Sequence, residues 1–375
     1  MHSLLFVDDE KAILKSLMRL FFRRGLVLYF AEDGEEALKI LAENHVDMVV
    51  SDMRMPKMDG HKLLKEVQRL YPDTIRFILS GHTDEREIYK AVLDGSAKMY
   101  LLKPWEPEKL FNFVMGTFEL LDILKDKKII SLADKLKYLT VRQSVQMELY
   151  QFNEKEENTS KLAVAVENDL GATAKVLQFV NSSYFDIKVG SVRQAVAYLG
   201  SSILKLILSN GEDFVKEEAY DFSQENYSIL LEQANLTKRI LGIIYKKVLK
   251  KEFSEVAASA GLLHDIGLVL ESNYEVEATH EEIGGYLLKW WGIPEAIYEG
   301  ALYHHSPLLA SLSNQELVCA IHLADYHALK TLGRGTPKLD NRIYQLLGIN
   351  QDTYEAIIIE GLKVEDSKEF DEVKL

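Results

Sequence analysis

Residues 4–10 read LLFVDDE: four apolar residues, about one strand's length, run straight into three acids. The device recurs in VLYF from Val27, DMVV from Asp47, IRFIL from Ile75 and MYLL from Met99, with longer amphipathic stretches between. Short apolar runs alternating with helical patterns predict parallel strands joined by helical crossovers. The expected fold of this part is an α/β doubly wound sheet of five parallel strands with helices on both faces.

In open parallel sheets ligands bind at the carboxyl ends of the strands. Asp8 and Asp9 follow the first run, Asp52 the third, Ser80 the fourth and Lys103 the fifth, so these side chains are expected to converge at one rim. Any one of these acids, taken alone, reads as a solvated loop carboxylate. Three carboxylates together repel unless a cation neutralises them. A hard divalent ion with oxygen ligands, Mg²⁺ above all, suits such a cluster. Phosphate chemistry gives each residue a definable role, with Asp52 as nucleophile, Lys103 and the metal as counter-charge, and Ser80 as hydrogen-bond donor to the phosphoryl group.

The motifs VDDE at Asp8 and Asp9, SDMRMPKMDG around Asp52, ILSG around Ser80 and LLKPW around Lys103 resemble the response-regulator receiver family, whose fold is flavodoxin-like. The likeness covers residues 1–120. It implies that Asp9, Asp52 and the backbone carbonyl of Arg54 contact Mg²⁺, with Asp8 acting through water. Asp52 would be the phosphoacceptor and a sensor histidine kinase the donor. Tyr100 falls at the family's switch-aromatic position, and Lys103-Pro104 is a candidate cis peptide.

Beyond Pro107 the pattern changes. No proline occurs between Pro107 and Pro294, and apolar residues recur at helical spacing in LFNFVMGTFELLDILKDKKII and SILLEQANLTKRILGIIYKKVL. The remainder is predicted to be all-α. A helix starting near Glu108 is expected to continue beyond the first domain, giving a helical linker at 121–140, a second domain at 141–350, and a C-terminal helix with a fraying charged tail at 351–375. VENDLGATAKVLQFVNSSYF at 166–185 and VRQAVAYLG at 192–200 resemble the HDOD family, helical relatives of HD-type metallohydrolases that serve mostly as regulatory modules.

The stretch AASAGLLHDIGLVL, 257–270, reads as one largely apolar helix carrying His264 and Asp265, where a carboxylate needs compensation. Thr279 and Glu282 form a capping-box pattern that starts a helix at His280, ended by Gly292 and Pro294. Pro294 opens another helix reaching His304 and His305. Ser313 and Glu316 are expected to cap a last one bearing His322 and Asp325. His264, Asp265, His280, His304, His305 and Asp325 match HD positions and resemble the HD-GYP phosphodiesterase arrangement. The first histidine of that arrangement is replaced by Gln233 in ILLEQANL, and HHSP runs into LLASL without the glycine-rich loop of the GYP signature. The resemblance therefore implies a single transition metal, held by Asp265, His280, His304 and His305, with weak or absent hydrolysis.

A chain of 375 residues with net charge -14 and one cysteine, Cys319, has no intrachain disulfide and repels a phosphate backbone. The expectations are a cytoplasmic location, no direct DNA binding and no membrane contact. The basic cluster Lys246, Lys247, Lys250 and Lys251 reads as a helix end, where cations complement the dipole. A homodimer is one candidate assembly, and the downstream partner, protein or nucleotide, has no signature. The leading reading is a response regulator switched at Asp52. The alternative is a receiver-controlled metal-dependent phosphodiesterase acting on a cyclic dinucleotide or other nucleotide.

Overall fold

The computed structural model describes residues 1–81, 85–127, 129–132, 139, 141–152, 159–182, 188–208, 224–271, 277–309 and 312–372. The chain divides into two compact units: Met1–Ile123 with Phe179–Ile187, and Leu124–Gln178 with Lys188–Leu375.

In the first unit the five apolar runs form β1 (Ser3–Val7), β2 (Val27–Ala31), β3 (Met48–Asp52), β4 (Ile75–Ser80) and β5 (Met99–Leu102). All pair in parallel, in the order β2-β1-β3-β4-β5. The doubly wound sheet predicted from the sequence is present. Strands β1, β3 and β4 are buried along their whole length, as strands covered on both faces must be. The crossovers are α1 (Lys11–Phe21), α2 (Gly34–Glu43), α3 (Gly60–Leu70), α4 (Glu85–Leu93) and α5 (Pro107–Asp126). Asp33 caps α2 by accepting from the Glu36 amide at 2.9 Å, and Asp59 caps α3 by accepting from the Lys62 amide at 2.8 Å.

Helix α5 extends past residue 120, as expected, but stops at Asp126, and one turn of 3₁₀ helix follows at Ile130–Leu132. The rest of the anticipated helical linker, apart from Leu139, lies outside the described residues.

The second unit has helices and no strand among its described residues: α6 (Gln143–Gln151), α7 (Thr159–Glu167), α8 (Leu170–Val180), α9 (Val192–Leu208), α10 (Gln224–Ile243), α11 (Glu255–Leu263), α12 (Ile266–Glu271), α13 (His280–Trp290), α14 (Glu295–Tyr303), α15 (Gln315–Thr331), α16 (Arg342–Leu346) and α17 (Gln351–Glu372). A π-helical turn, Ile244–Leu249, continues α10 into the lysine cluster and ends at Lys250 in the left-handed conformation. The backbone of α17 remains helical to Glu372, through most of the tail expected to fray.

Two expectations are corrected. The segment 257–270 is not one helix. It breaks at His264 and Asp265 into α11 and α12, because Gly267 must lie against α13: a Cβ there would sit 1.9 Å from the His280 carbonyl oxygen. Nor do Ser313 and Glu316 cap the helix carrying His322 and Asp325. Helix α15 starts at Gln315 behind Asn314, and the buried carboxylate of Glu299 accepts from the backbone amides of Ser313 (3.3 Å) and Asn314 (2.9 Å). A carboxylate at a helix N-terminus satisfies orphan donors and meets the positive end of the dipole.

Candidate functional site

At the carboxyl rim of the sheet, Asp8 follows β1, Asp52 ends β3, Ser80 ends β4 and Lys103 follows β5. The Lys103 ammonium lies 2.7 Å from Asp8 Oδ2 and 2.6 Å from Asp52 Oδ1, bridging the two carboxylates. Asp8 and Asp52 are buried, Asp9 is exposed. The second Asp52 oxygen accepts from the Arg54 amide at 3.1 Å, and Asp8 Oδ1 accepts from the Glu10 amide at 2.9 Å. Burial pushes the Asp52 carboxyl above its ordinary pKa, more than the adjacent Lys103 can offset. Burial would also lower the Lys103 ammonium, but its hydrogen bonds to Asp52 and Asp8 raise it instead. A carboxylate that remains costly to ionise beside its lysine suits a further cation.

Backbone geometry holds the rim. The Lys103 amide donates to the Ser80 carbonyl at 2.8 Å, and Lys103-Pro104 is cis. Gly60, at the start of α3, lies so close to β3 that a Cβ would sit 2.1 Å from the Asp52 carbonyl oxygen. Tyr100 is buried in β5.

In the second unit, six helices position seven polar side chains in one place. Gln233 comes from α10, His264 and Asp265 from the α11–α12 break, His280 from the first turn of α13, His304 and His305 from the end of α14, and Asp325 from α15. Asp265 is at the centre. Its Oδ1 lies 3.1 Å from His304 Nε2 and 3.4 Å from His280 Nε2, and its Oδ2 accepts from Gln233 Nε2 at 2.8 Å. Gln233 Nε2 also donates to Asp325 Oδ1 at 3.0 Å. His264 Nε2 is 3.3 Å from both Asp265 Oδ2 and Asp325 Oδ1. Burial drives the His264 imidazole toward neutrality, but Asp265 and Asp325 together leave its pKa well above the ordinary value.

The outward nitrogens fix how the rings are turned. His264 Nδ1 is 2.9 Å from the Gly261 carbonyl and His304 Nδ1 is 2.8 Å from that of Ala301. A carbonyl only accepts, so each Nδ1 carries a proton and each Nε2 is turned inward. This is how metal-ligating histidines are oriented. His264 Nε2, His304 Nε2 and Asp265 Oδ1 are buried with no hydrogen-bond partner. Among the described residues two groups have ligand atoms within 4.8 Å of one another: His280, His304 and His305, and His264, Asp265 and Asp325. Buried ring nitrogens and a carboxylate oxygen left without hydrogen-bond partners are the kind of atoms a metal ion satisfies.

Two contributors were not anticipated from the sequence, and a third, Gln233, was expected only in place of a lost ligand. His322 Nδ1 holds the His304 carbonyl at 2.6 Å, Glu299 anchors the start of α15, and Gln233 binds two carboxylates at once. The spacing of His322 and Asp325 on one helix was a usable signal for the first. The other two depend on side chains far apart in sequence.

Family models for the response regulator receiver domain, the HDOD domain and the HD domain match residues 4–115, 140–276 and 229–330. The chain carries a response-regulator receiver domain at its N-terminus, followed by HDOD and HD domains. The hydrogenase transcriptional regulatory protein HoxA of Cupriavidus necator is 33% identical over 117 residues, 31% of this chain and 24% of that protein. The transcriptional regulatory protein GlrR of Escherichia coli K12 is 34% identical over 116 residues, 31% of this chain and 26% of its own. The signal receiver domain of an HD domain-containing protein from Pseudomonas fluorescens Pf-5 is 36% identical, with a TM-score of 0.31, covering 32% of this chain and 97% of that one. The chain spans a quarter to a third of the length of the first curated relatives it matches. Among its described residues no helix is long and apolar enough to cross a membrane.

Proposed function

We propose that this chain is a two-component response regulator in which Asp52 accepts a phosphoryl group from a histidine kinase and the receiver then changes what the HDOD domain binds. The bridging of Asp8 and Asp52 by Lys103 carries the reading. An Asp52 oxygen attacks phosphorus, the bond from phosphorus to the donor nitrogen breaks, and an acyl phosphate remains. Lys103 follows the new negative charge, and Ser80 donates to a phosphoryl oxygen. Asp8, Asp9, Asp52 and the Arg54 carbonyl would hold Mg²⁺, which supplies charge neutralisation at the rim. Tyr100 is the switch aromatic. The acidic chain acts in the cytoplasm through a protein or small-molecule partner rather than DNA, with a homodimer as one form of output.

A small phosphodonor with Mg²⁺ should add one acid-labile phosphoryl group to the wild-type protein and none to Asp52→Asn, read by intact mass. Lys103→Ala should still be labelled but lose the labelling-dependent change in hydrogen exchange. Equal labelling of Asp52→Asn would remove the proposal.

The phosphodiesterase reading draws on the histidine and aspartate cluster of the HD match. It requires two ions to activate water and steady a leaving oxygen, and Gln233 supplies no strong donor to one of them. Metal binding with slow or no turnover is the expected behaviour.

A further inference from the structure

We infer that the side-chain amide of Gln233 stands where one of two cations would sit in the second domain, leaving a single transition-metal site built by Asp265, His280, His304 and His305. This rests on the metal-centre reading of that domain and not on phosphoryl transfer to Asp52.

Gln233 Nε2 points two protons at two carboxylates, Asp265 Oδ2 at 2.8 Å and Asp325 Oδ1 at 3.0 Å. An amide nitrogen has no lone pair to offer a metal, and it engages the very oxygens that a cation between His264, Asp265 and Asp325 would use. Gln233 is therefore more than a missing ligand. It is a neutral plug, buried in the cluster.

The other half of Asp265 is in the opposite condition. Its Oδ1 is buried without a hydrogen-bond partner, 3.1 Å from His304 Nε2, which is also without one. With His304 Nδ1 turned to the Ala301 carbonyl, Nε2 is the ring nitrogen that faces the Asp265 oxygen across that gap. Such an arrangement is costly unless a cation lies between them. His280 and His305 bring two further imidazoles, with ligand atoms of the three histidines within 4.8 Å of one another. Three imidazoles and one carboxylate select zinc, cobalt or nickel over magnesium or calcium. His305 also lines a cavity of about 610 Å³ with Ser306, His322, Lys338 and Arg342.

The test is a titration of the metal-free full-length chain with Zn²⁺ against a chromophoric chelator, paralleled by the visible absorption of Co²⁺. Wild type should bind one equivalent. His305→Ala should weaken it at least about tenfold and reduce the Co²⁺ band, whereas Asp325→Asn should leave that one equivalent in place. Gln233→Ala should bind two, because removing the plug frees Asp265 Oδ2 and Asp325 Oδ1 to join His264 Nε2, a sufficient set of three ligands. Gln233→His, which keeps the bulk and adds a donor, should also bind two. If glutamine were only a poor ligand, the alanine variant would stay at one. Two equivalents or none in wild type, or one equivalent in Gln233→Ala, would overturn the inference. Asp52 labelling of the same preparations reports on the response-regulator reading independently, since it does not depend on the zinc count.

Discussion

At the level of single residues, the receiver rim was legible because its chemistry sits at fixed offsets from strands. Asp8, Asp52 and Lys103, at the carboxyl ends of β1, β3 and β5, meet because the strands are parallel. The plug at Gln233 was not legible, since its two carboxylate partners lie 32 and 92 residues away. Nor was Lys175, which is buried in α8 with its ammonium pKa pushed down to about 8 by burial, Asp169 offsetting only part of that cost. Its folded pKa is depressed below the unfolded value of 10.5, so the unfolded chain binds the proton more tightly. The group destabilises the fold fully below pH 8, and the penalty is relieved as pH rises from 8 toward 10.5. Lys175→Met should therefore gain on the order of 2 kcal/mol at pH 7, with a shallower rise in stability between pH 8 and 10. Lys238, also lowered to about 8 by burial, keeps part of that rise. Denaturant titrations at pH 7 and 9.5 decide it, and a methionine variant less stable at pH 7 with an unchanged slope would refute the account.

At the level of elements, local capping chemistry could be read directly and long-range capping could not. The Thr279 and Glu282 capping box is present as predicted, with the Thr279 amide donating to Glu282 Oε2 at 3.3 Å and the Glu282 amide to Thr279 Oγ1 at 3.5 Å. The start of α15 was misread because its cap is Glu299, from the preceding helix. The break between α11 and α12 was missed for a similar reason: apolar periodicity continues through it, and only the close approach of Gly267 to the His280 carbonyl requires it. The capping box determines where His280 enters the metal cluster. Thr279→Ala should cost about 1 kcal/mol of stability and weaken Zn²⁺ binding several-fold, while Thr279→Ser should recover most of both. Zinc affinity unchanged in the alanine variant, despite the stability loss, would show that α13 places His280 without its cap.

Across the whole molecule, the chain carries two sets of ionic chemistry in two compact units, each with its own buried core. The acids at the receiver rim offer hard oxygen donors, and the second cluster offers mainly imidazole nitrogen. Ligands that bind only the folded form stabilise it by an amount set by concentration over affinity, about 2.7 kcal/mol at a hundredfold excess over Kd. Each ion should therefore stabilise the unit whose donors suit it. Gly60→Ala places a Cβ against the Asp52 carbonyl oxygen and should lower the unfolding transition of the first unit, while Thr279→Ala should lower that of the second. With the transitions assigned by these two variants, Mg²⁺ with a phosphoryl analogue should raise only the first, and Zn²⁺ at micromolar excess only the second. Differential scanning calorimetry of the metal-free full chain reads both. If Zn²⁺ raised the transition lowered by Gly60→Ala and left the other unmoved, the imidazole cluster would not be the zinc site. If Mg²⁺ with the analogue moved neither, the acids at the rim would not act together as a phosphoryl pocket.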